Sequence, residues 1–188
     1  MIATSAHRRG LGIVLSLLGG IGLIASFVLT MEYLRLSADS AYVASCDVNS
    51  VVSCGSVMRS PSSALVGDIP NSLLGVAGFA ALTALGVGLV AAASFSGWLW
   101  FLMQLGVTVA VIFVHFMMWD SLFVLRLLCP YCMVVWAVTI PIFVAVSAQN
   151  LRAFGGINVA VTWRWVISLA WVGLVAAVVI AMNHQYLF

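Results

Sequence analysis

Between Ile69 and Trp119 the chain carries no formally charged side chain. An apolar run of about 18 residues or more, rising ~1.5 Å per residue in a helix, is long enough to cross the hydrocarbon of a bilayer. This stretch is too long for one crossing, and Ser94-Phe95-Ser96-Gly97 supplies a break. It therefore reads as two spans, about 71–93 and 98–118, joined by a tight turn. Further apolar runs, charged only at Glu32 and Arg164 near their ends, place spans at about 11–33, 130–148 and 164–183. Only 6% of residues are charged and 64% are hydrophobic, whereas a soluble domain has about a quarter of its residues charged. So little charge cannot coat a water-soluble globule. The expectation is an all-α integral membrane protein of five helices, with residues 1–188 forming one membrane domain. A net charge of +2 with no Lys/Arg cluster gives no basis for binding nucleic acid.

Orientation follows from the arginines. With the N-terminus cytoplasmic, Arg8, Arg9, Arg152 and Arg164 lie inside, with no acid beside them. Arg35, Arg59 and Arg126 lie outside with all five acidic residues. Trp98, Trp100, Trp119, Trp163 and Trp165 fall near span ends, as interfacial aromatic belts do. Arg8-Arg9 before an apolar run also has the look of a secretory signal, and Val43-Ala44-Ser45-Cys46 that of a lipoprotein cleavage box. No small-residue cleavage site follows the first run directly, and Glu32, Arg35 and Asp39 separate it from Cys46. Both are therefore read as part of the mature chain. Gly75, Gly78, Gly86 and Gly88 are expected to serve close helix packing. Gly155, Gly156 and Asn158, with Arg152, make a polar link before the last span.

All four cysteines fall on one side of this topology. Cys46 and Cys54 lie in the outer loop, about 34–70, and Cys129-Pro130-Tyr131-Cys132 stands where the second outer loop, Asp120 to Leu128, enters the fourth span. Cysteine used as a small apolar filler would also occur in mid-span. The outer side is the oxidising one, where disulfides persist. A Cys-x-x-Cys pair at a helix start exposes its first thiol to unpaired amides and the positive end of the helix dipole, which lowers its pKa. Pro130, just inside the helix, lacks only an N–H that would be unpaired anyway. This favours a reactive Cys129 and a more buried Cys132. Static structural disulfides are the competing reading. Zinc is a poorer one: the Cys46–Cys54 spacing is wrong and no histidine stands near, so no metal is expected. Thiols working at a membrane surface need an electron acceptor, and the apolar acceptor dissolved in a bilayer is a quinone.

Three motifs in order carry a family resemblance: Cys46-Asp47 followed by Cys54, Asn71-Ser72-x-x-Gly75 opening the second span, and Cys129-x-x-Cys132 opening the fourth. Over about residues 11–148 the chain resembles the vitamin K epoxide reductase family, most closely its bacterial, actinobacterial-type homologues. The other quinone-linked family, the DsbB type, carries its Cys-x-x-Cys in the first outer loop, the reverse order. The resemblance implies a four-helix transmembrane bundle around a quinone, of menaquinone or ubiquinone type, with a fifth helix added. It implies that Cys46 and Cys54 are a shuttle pair in a mobile loop, that Cys54 attacks Cys129, and that Cys132 delivers electrons to the quinone. It implies that Asn71 hydrogen-bonds a quinone carbonyl; a plain helix N-cap is the other use of an Asn after Pro70.

Animal members have a tyrosine where this chain has Trp136, which is expected to line the pocket but cannot accept a hydrogen bond. That favours plain quinone reduction over reduction of a quinone epoxide. Some bacterial members carry a fused thioredoxin-like domain. This chain runs only to Phe188, so the expected partner is a separate thioredoxin-fold thiol oxidase of DsbA type. The bacterial cytoplasmic membrane, with the cysteines on its outer face, is the expected location. His115, deep in the third span, is a candidate for proton supply to the quinone or a neutral histidine bonded to a neighbouring helix. Met118, with Met117 and Trp119, is placed to border the pocket. Asp47 either tunes the shuttle thiol or solvates the loop. Arg59 and Asp68 are candidates to pin the loop, and Val57 and Met58 to dip into the bilayer surface.

Overall fold

The computed structural model describes residues 2–187 except 40, 50, 66, 68 and 154–162, with side chains described for 8–152, outside those positions, and for 163–182. Asp68, Gly155, Gly156 and Asn158 lie outside the described residues. The chain is an all-α, multi-pass membrane protein. Among the described residues, five helices are long and apolar enough to cross a bilayer: α1 (Ile2–Ala38), α3 (Asn71–Val90), α4 (Gly97–Trp119), α5 (Pro130–Ala153) and α6 (Arg164–Leu187). A short helix α2 (Cys54–Met58) and a 3₁₀ turn, Pro61–Ser63, lie in the connection between α1 and α3. Both α1 and α5 outrun the spans expected from hydropathy. Helices are not obliged to stop where the apolar run stops, so each continues into its polar flank.

The tightest seam is between α1 and α3, and glycine makes it. A Cβ on Gly12 would meet the Gly86 carbonyl oxygen at 2.8 Å, and one on Gly86 would meet the Ser16 nitrogen at 2.6 Å. Gly75 lies against the Ser26 hydroxyl in the same way. Gly78 departs from the packing expectation: a side chain there would meet nothing within 4 Å. α1 also packs on α5 through Leu11, Leu15, Val138, Ile142 and Val146. α5 in turn carries α4 and α6. α3 ends with Ala92 in the left-handed region, φ 65°, where Ala93 N–H reaches back to Gly88 O at 2.9 Å. This is the short turn expected near residue 94.

The expected loop from Asp120 to Leu128 is mostly helix. α4 widens into a π turn, Asp120–Leu125, and the chain reverses only at Arg126, in the left-handed region at φ 54°. Ser121 holds the reversal: its carbonyl accepts from Leu127 N–H at 3.1 Å, and its hydroxyl donates to Leu127 O. π turns insert a residue into the helical register. Here the register change turns Asp120 and Ser121 toward the interior of the bundle, where both border a cavity.

Candidate active site

The cysteine end of the bundle is assembled by a single backbone pairing. Leu128 N–H donates to Val51 O at 2.8 Å, and Ser53 N–H donates to Leu128 O at 3.0 Å. This parallel bridge between Val52 and Leu128 fastens the redox loop to the segment entering α5. Two polar turns shape the loop side. Asn49 Oδ1 accepts from Val51 and Val52 N–H at 2.9 and 2.7 Å. Asp47 accepts from the Ser53 hydroxyl and from Gly55 N–H, both at 2.9 Å. Gly55 is needed for that approach, because a Cβ would stand 2.7 Å from the carboxylate. The Ser53 hydroxyl also caps α2 by accepting from Ser56 N–H. Asp47 is thus a structural strut linking the two cysteine-bearing ends of the loop.

These fasteners bring the sulfurs together. Cys46 and Cys54 form a disulfide, with Cα atoms 5.6 Å apart. Cys129 and Cys132 are free thiols. The Cys129 thiol lies 3.2 Å from Cys54 Sγ, close enough for thiol–disulfide exchange. Cys54 and Cys129 are almost wholly buried, at 0% and 1% exposure. Cys132 is only half-buried, which reverses the expected order of burial for the pair. The reason is that Cys132 borders the cavity, whereas Cys129 is roofed by the loop. The Cys129 thiol is held below the ordinary thiol range, first by a hydrogen bond from the Cys132 thiol. Burial works against this, and the N–H groups of Cys132 and Tyr131 at the start of α5 assist it.

A cavity of about 620 Å³ opens beside Cys132. Its cysteine end is polar, with Ser62, Asn71, Asp120, Ser121 and Cys132; the remainder runs between apolar faces of α3 and α4. Asn71 is the first residue of α3 and does not cap it; Pro70 holds the cap position. Its amide ties down the loop instead: Nδ2 donates to Ser62 O at 2.7 Å and Oδ1 accepts from Leu65 N–H at 3.2 Å. Nδ2 also faces Met117 Sδ at 3.6 Å. Ser62 in turn donates to Asp120 Oδ2. Trp136 is buried and lines the cavity, as do Val57 and Met58.

Two of the expected pocket residues lie elsewhere. Met117 borders the cavity, but Met118 does not and is buried in a cluster with Leu122, Leu128, Trp136 and Ile140. His115 faces α6. Its Nε2 accepts from Trp171 Nε1–H at 3.1 Å, and its Nδ1 lies 2.7 Å from Val111 O. Both contacts are satisfied together by the tautomer with the proton on Nδ1. Arg59 donates to Tyr42 O at 3.3 Å and so does tie the loop. Sequence reading missed Leu128, Asn49, Glu32 and the π-turn pair Asp120 and Ser121. Only Glu32 and Asp120 carried a local signal, each as an acid at a span end.

No curated protein sequence matches the chain. The model of the vitamin K epoxide reductase family matches residues 13–147, from within α1 to within α5, which includes all four cysteines and every residue lining the polar end of the cavity. The match covers well over half of the chain, and the chain belongs to the vitamin K epoxide reductase family.

Proposed function

We propose that this protein is a quinone-dependent thiol oxidase: it reoxidises a secreted thioredoxin-fold protein of DsbA type and passes the electrons to a membrane quinone. Membership of the family implies an oxidoreductase, and its members use quinones. The observation that carries the reading is the Cys129 thiol lying 3.2 Å from Cys54 Sγ while its partner Cys132 borders the cavity. The arginine bias supports a cytoplasmic N-terminus with the cysteines on the outer face of a bacterial cytoplasmic membrane.

Electrons move through the relay by disulfide exchange. A thiolate of the partner attacks Cys46, and the Cys46–Cys54 bond breaks with Cys54 leaving as thiolate. The partner's second thiolate resolves the mixed disulfide, so the partner leaves oxidised and Cys46 is a thiolate. Cys54 attacks Cys129 of a Cys129–Cys132 disulfide, releasing Cys132. Cys46 then attacks Cys54, restoring Cys46–Cys54 and leaving Cys129 and Cys132 reduced. This end point has the same oxidation pattern as the structure, with the loop pair bonded and the α5 pair free. Two electrons and two protons then pass to the quinone, and Cys129 and Cys132 re-form their disulfide. The lowered pKa of Cys129 makes it a good leaving group when Cys46 resolves the mixed disulfide.

The cavity suits the acceptor. One Nδ2 hydrogen of Asn71 is spent on Ser62 O, and the other meets only a thioether, a weak acceptor. A quinone carbonyl would replace that contact with a full hydrogen bond. The apolar slot from Asn71 to Leu85 is about 21 Å long at ~1.5 Å per residue, which accommodates an isoprenoid tail. Its walls include Leu74, Leu102 and Val109, all of them exposed, which suits a slot that opens toward lipid.

The test uses anaerobic protein in detergent, a quinone followed by absorbance, and either a small dithiol or a reduced thioredoxin-fold partner. Cys132→Ser is expected to abolish quinone reduction from both donors. Cys46→Ser is expected to spare the small-dithiol reaction and block the protein partner. Equal loss in both variants would refute the assigned order of roles.

A further inference from the structure

Glu32 is the one charged side chain among the buried described residues, at 4% exposure, and the relay above gives it no task. It lies in the last turns of α1. A buried carboxylate is costly unless its oxygens are hydrogen-bonded, and here the donors come mainly from one place. Oε2 accepts from the Tyr42 hydroxyl at 3.1 Å and from Ser45 N–H at 3.2 Å. Oε1 accepts from the Ser45 hydroxyl at 2.9 Å, with Arg35 Nη1 at 3.8 Å. Arg35 also donates to the Tyr42 hydroxyl at 3.3 Å. Both oxygens are thus spent on two residues, Tyr42 and Ser45, of the segment that leads directly into Cys46.

That placement matters because Cys46 is closed off. It is 7% exposed, and Ala44 beside it is 3% exposed. A small dithiol needs little room, but a protein thiol must bring its own surface up to Cys46 Sγ, and residues 42–46 must lift. The loop is fastened to the bundle at both ends by different means. At the Cys54 end, the Leu128 backbone pair holds Cys54 beside Cys129. At the Cys46 end, the fastener to α1 is the Glu32 carboxylate, with Arg35 beside it on the Tyr42 hydroxyl.

We infer that Glu32 is a latch on the Cys46 end of the redox loop, a positioning residue whose carboxylate must release Tyr42 and Ser45 before a protein thiol reaches Cys46, while the Leu128 pairing keeps Cys54 at Cys129. This rests on the reading that Cys46 is the sulfur the partner attacks. The latch separates two demands on one loop, since the partner side opens while the relay side stays in register.

The test is reduction of the Cys46–Cys54 disulfide in the full-length protein carrying Cys129→Ala, so that electrons stop at the loop. The reductants are reduced thioredoxin and, separately, dithiothreitol, with new thiols counted by alkylation and mass. Glu32→Gln keeps the shape but turns one acceptor into a donor. It is expected to speed reduction by thioredoxin roughly tenfold, the factor for losing one charge-assisted hydrogen bond, and to change the dithiothreitol rate much less. Tyr42→Phe removes one donor at the surface and should act in the same direction by a few-fold; it decides the matter should Glu32→Gln not fold. An unchanged or slower thioredoxin rate in the folded variants overturns the latch, as does an equal acceleration with both reductants. Quinone reduction is read separately in protein with all four cysteines. A selective thioredoxin effect with no quinone reduction upholds the latch and refutes the quinone oxidase.

Discussion

The two faces of α3 use the same residue for opposite ends. Toward α1, Gly75 and Gly86 stand where a Cβ would collide with Ser26 or with the Ser16 backbone. Toward α4, Gly78 stands where a side chain would meet nothing. On the first face glycine lets two backbones close; on the second it keeps a slot open. In a bilayer, apolar surface gains little by leaving lipid, so helices associate through close packing and hydrogen bonds. A seam built that way tolerates no added atoms. A slot that takes a ligand from the lipid has the reverse requirement, and the shared composition of the two faces conceals the difference.

Substitutions at the two kinds of glycine therefore ought to diverge. Gly86→Val adds atoms against the α1 backbone and is expected to cost at least the upper end of the ~1–3 kcal/mol usual for overpacking. Thermal or denaturant unfolding in detergent should show it, with activity lost along with the fold. A stable Gly86→Val protein would mean the seam is looser than its distances imply. Gly78→Leu should leave stability unchanged or slightly raised, since the helix gains a better former. Its effect should appear in the quinone step, with KM for a long-tailed quinone rising about tenfold, as for loss of roughly 1.4 kcal/mol of binding, and KM for a tail-less quinone barely moving. An equal rise for both quinones would mean the slot does not hold the tail. Thr83→Ala is the mildest. Its hydroxyl donates to Phe79 O at 2.7 Å and stands against Gly19, and its loss should change stability by about 1 kcal/mol or less. A larger loss would show that the seam depends on side-chain packing more than on backbone approach.

The cysteine end shows how far the chain could be read in advance. The redox motifs and their order were legible because each is local: a Cys-x-x-Cys at a helix start has its chemistry set by the first turn of that helix. The pocket was less so. Asn71, Cys132 and Trp136 border the cavity, but His115 turns toward α6 and Met118 is buried outside the cavity lining. Membrane helices here are apolar all round, so periodicity gives no facing, and a one-residue difference such as Met117 against Met118 decides which side of α4 is seen. The π turn compounded this, because it extends α4 through a stretch whose charge and position read as loop.

Hydropathy and spacing by themselves determined five apolar helices and four cysteines gathered at one end. Those properties depend on which residues are near each other along the chain, and the cost of charge in lipid enforces them. The tertiary structure decided the rest: which face of each helix meets a neighbour or the slot, the Leu128 pairing that sets Cys54 at Cys129, and the burial of Glu32 against Tyr42 and Ser45. Each of these is a hydrogen bond or contact between segments distant in the chain, and its partner is chosen by the packing of the bundle, which no local pattern encodes.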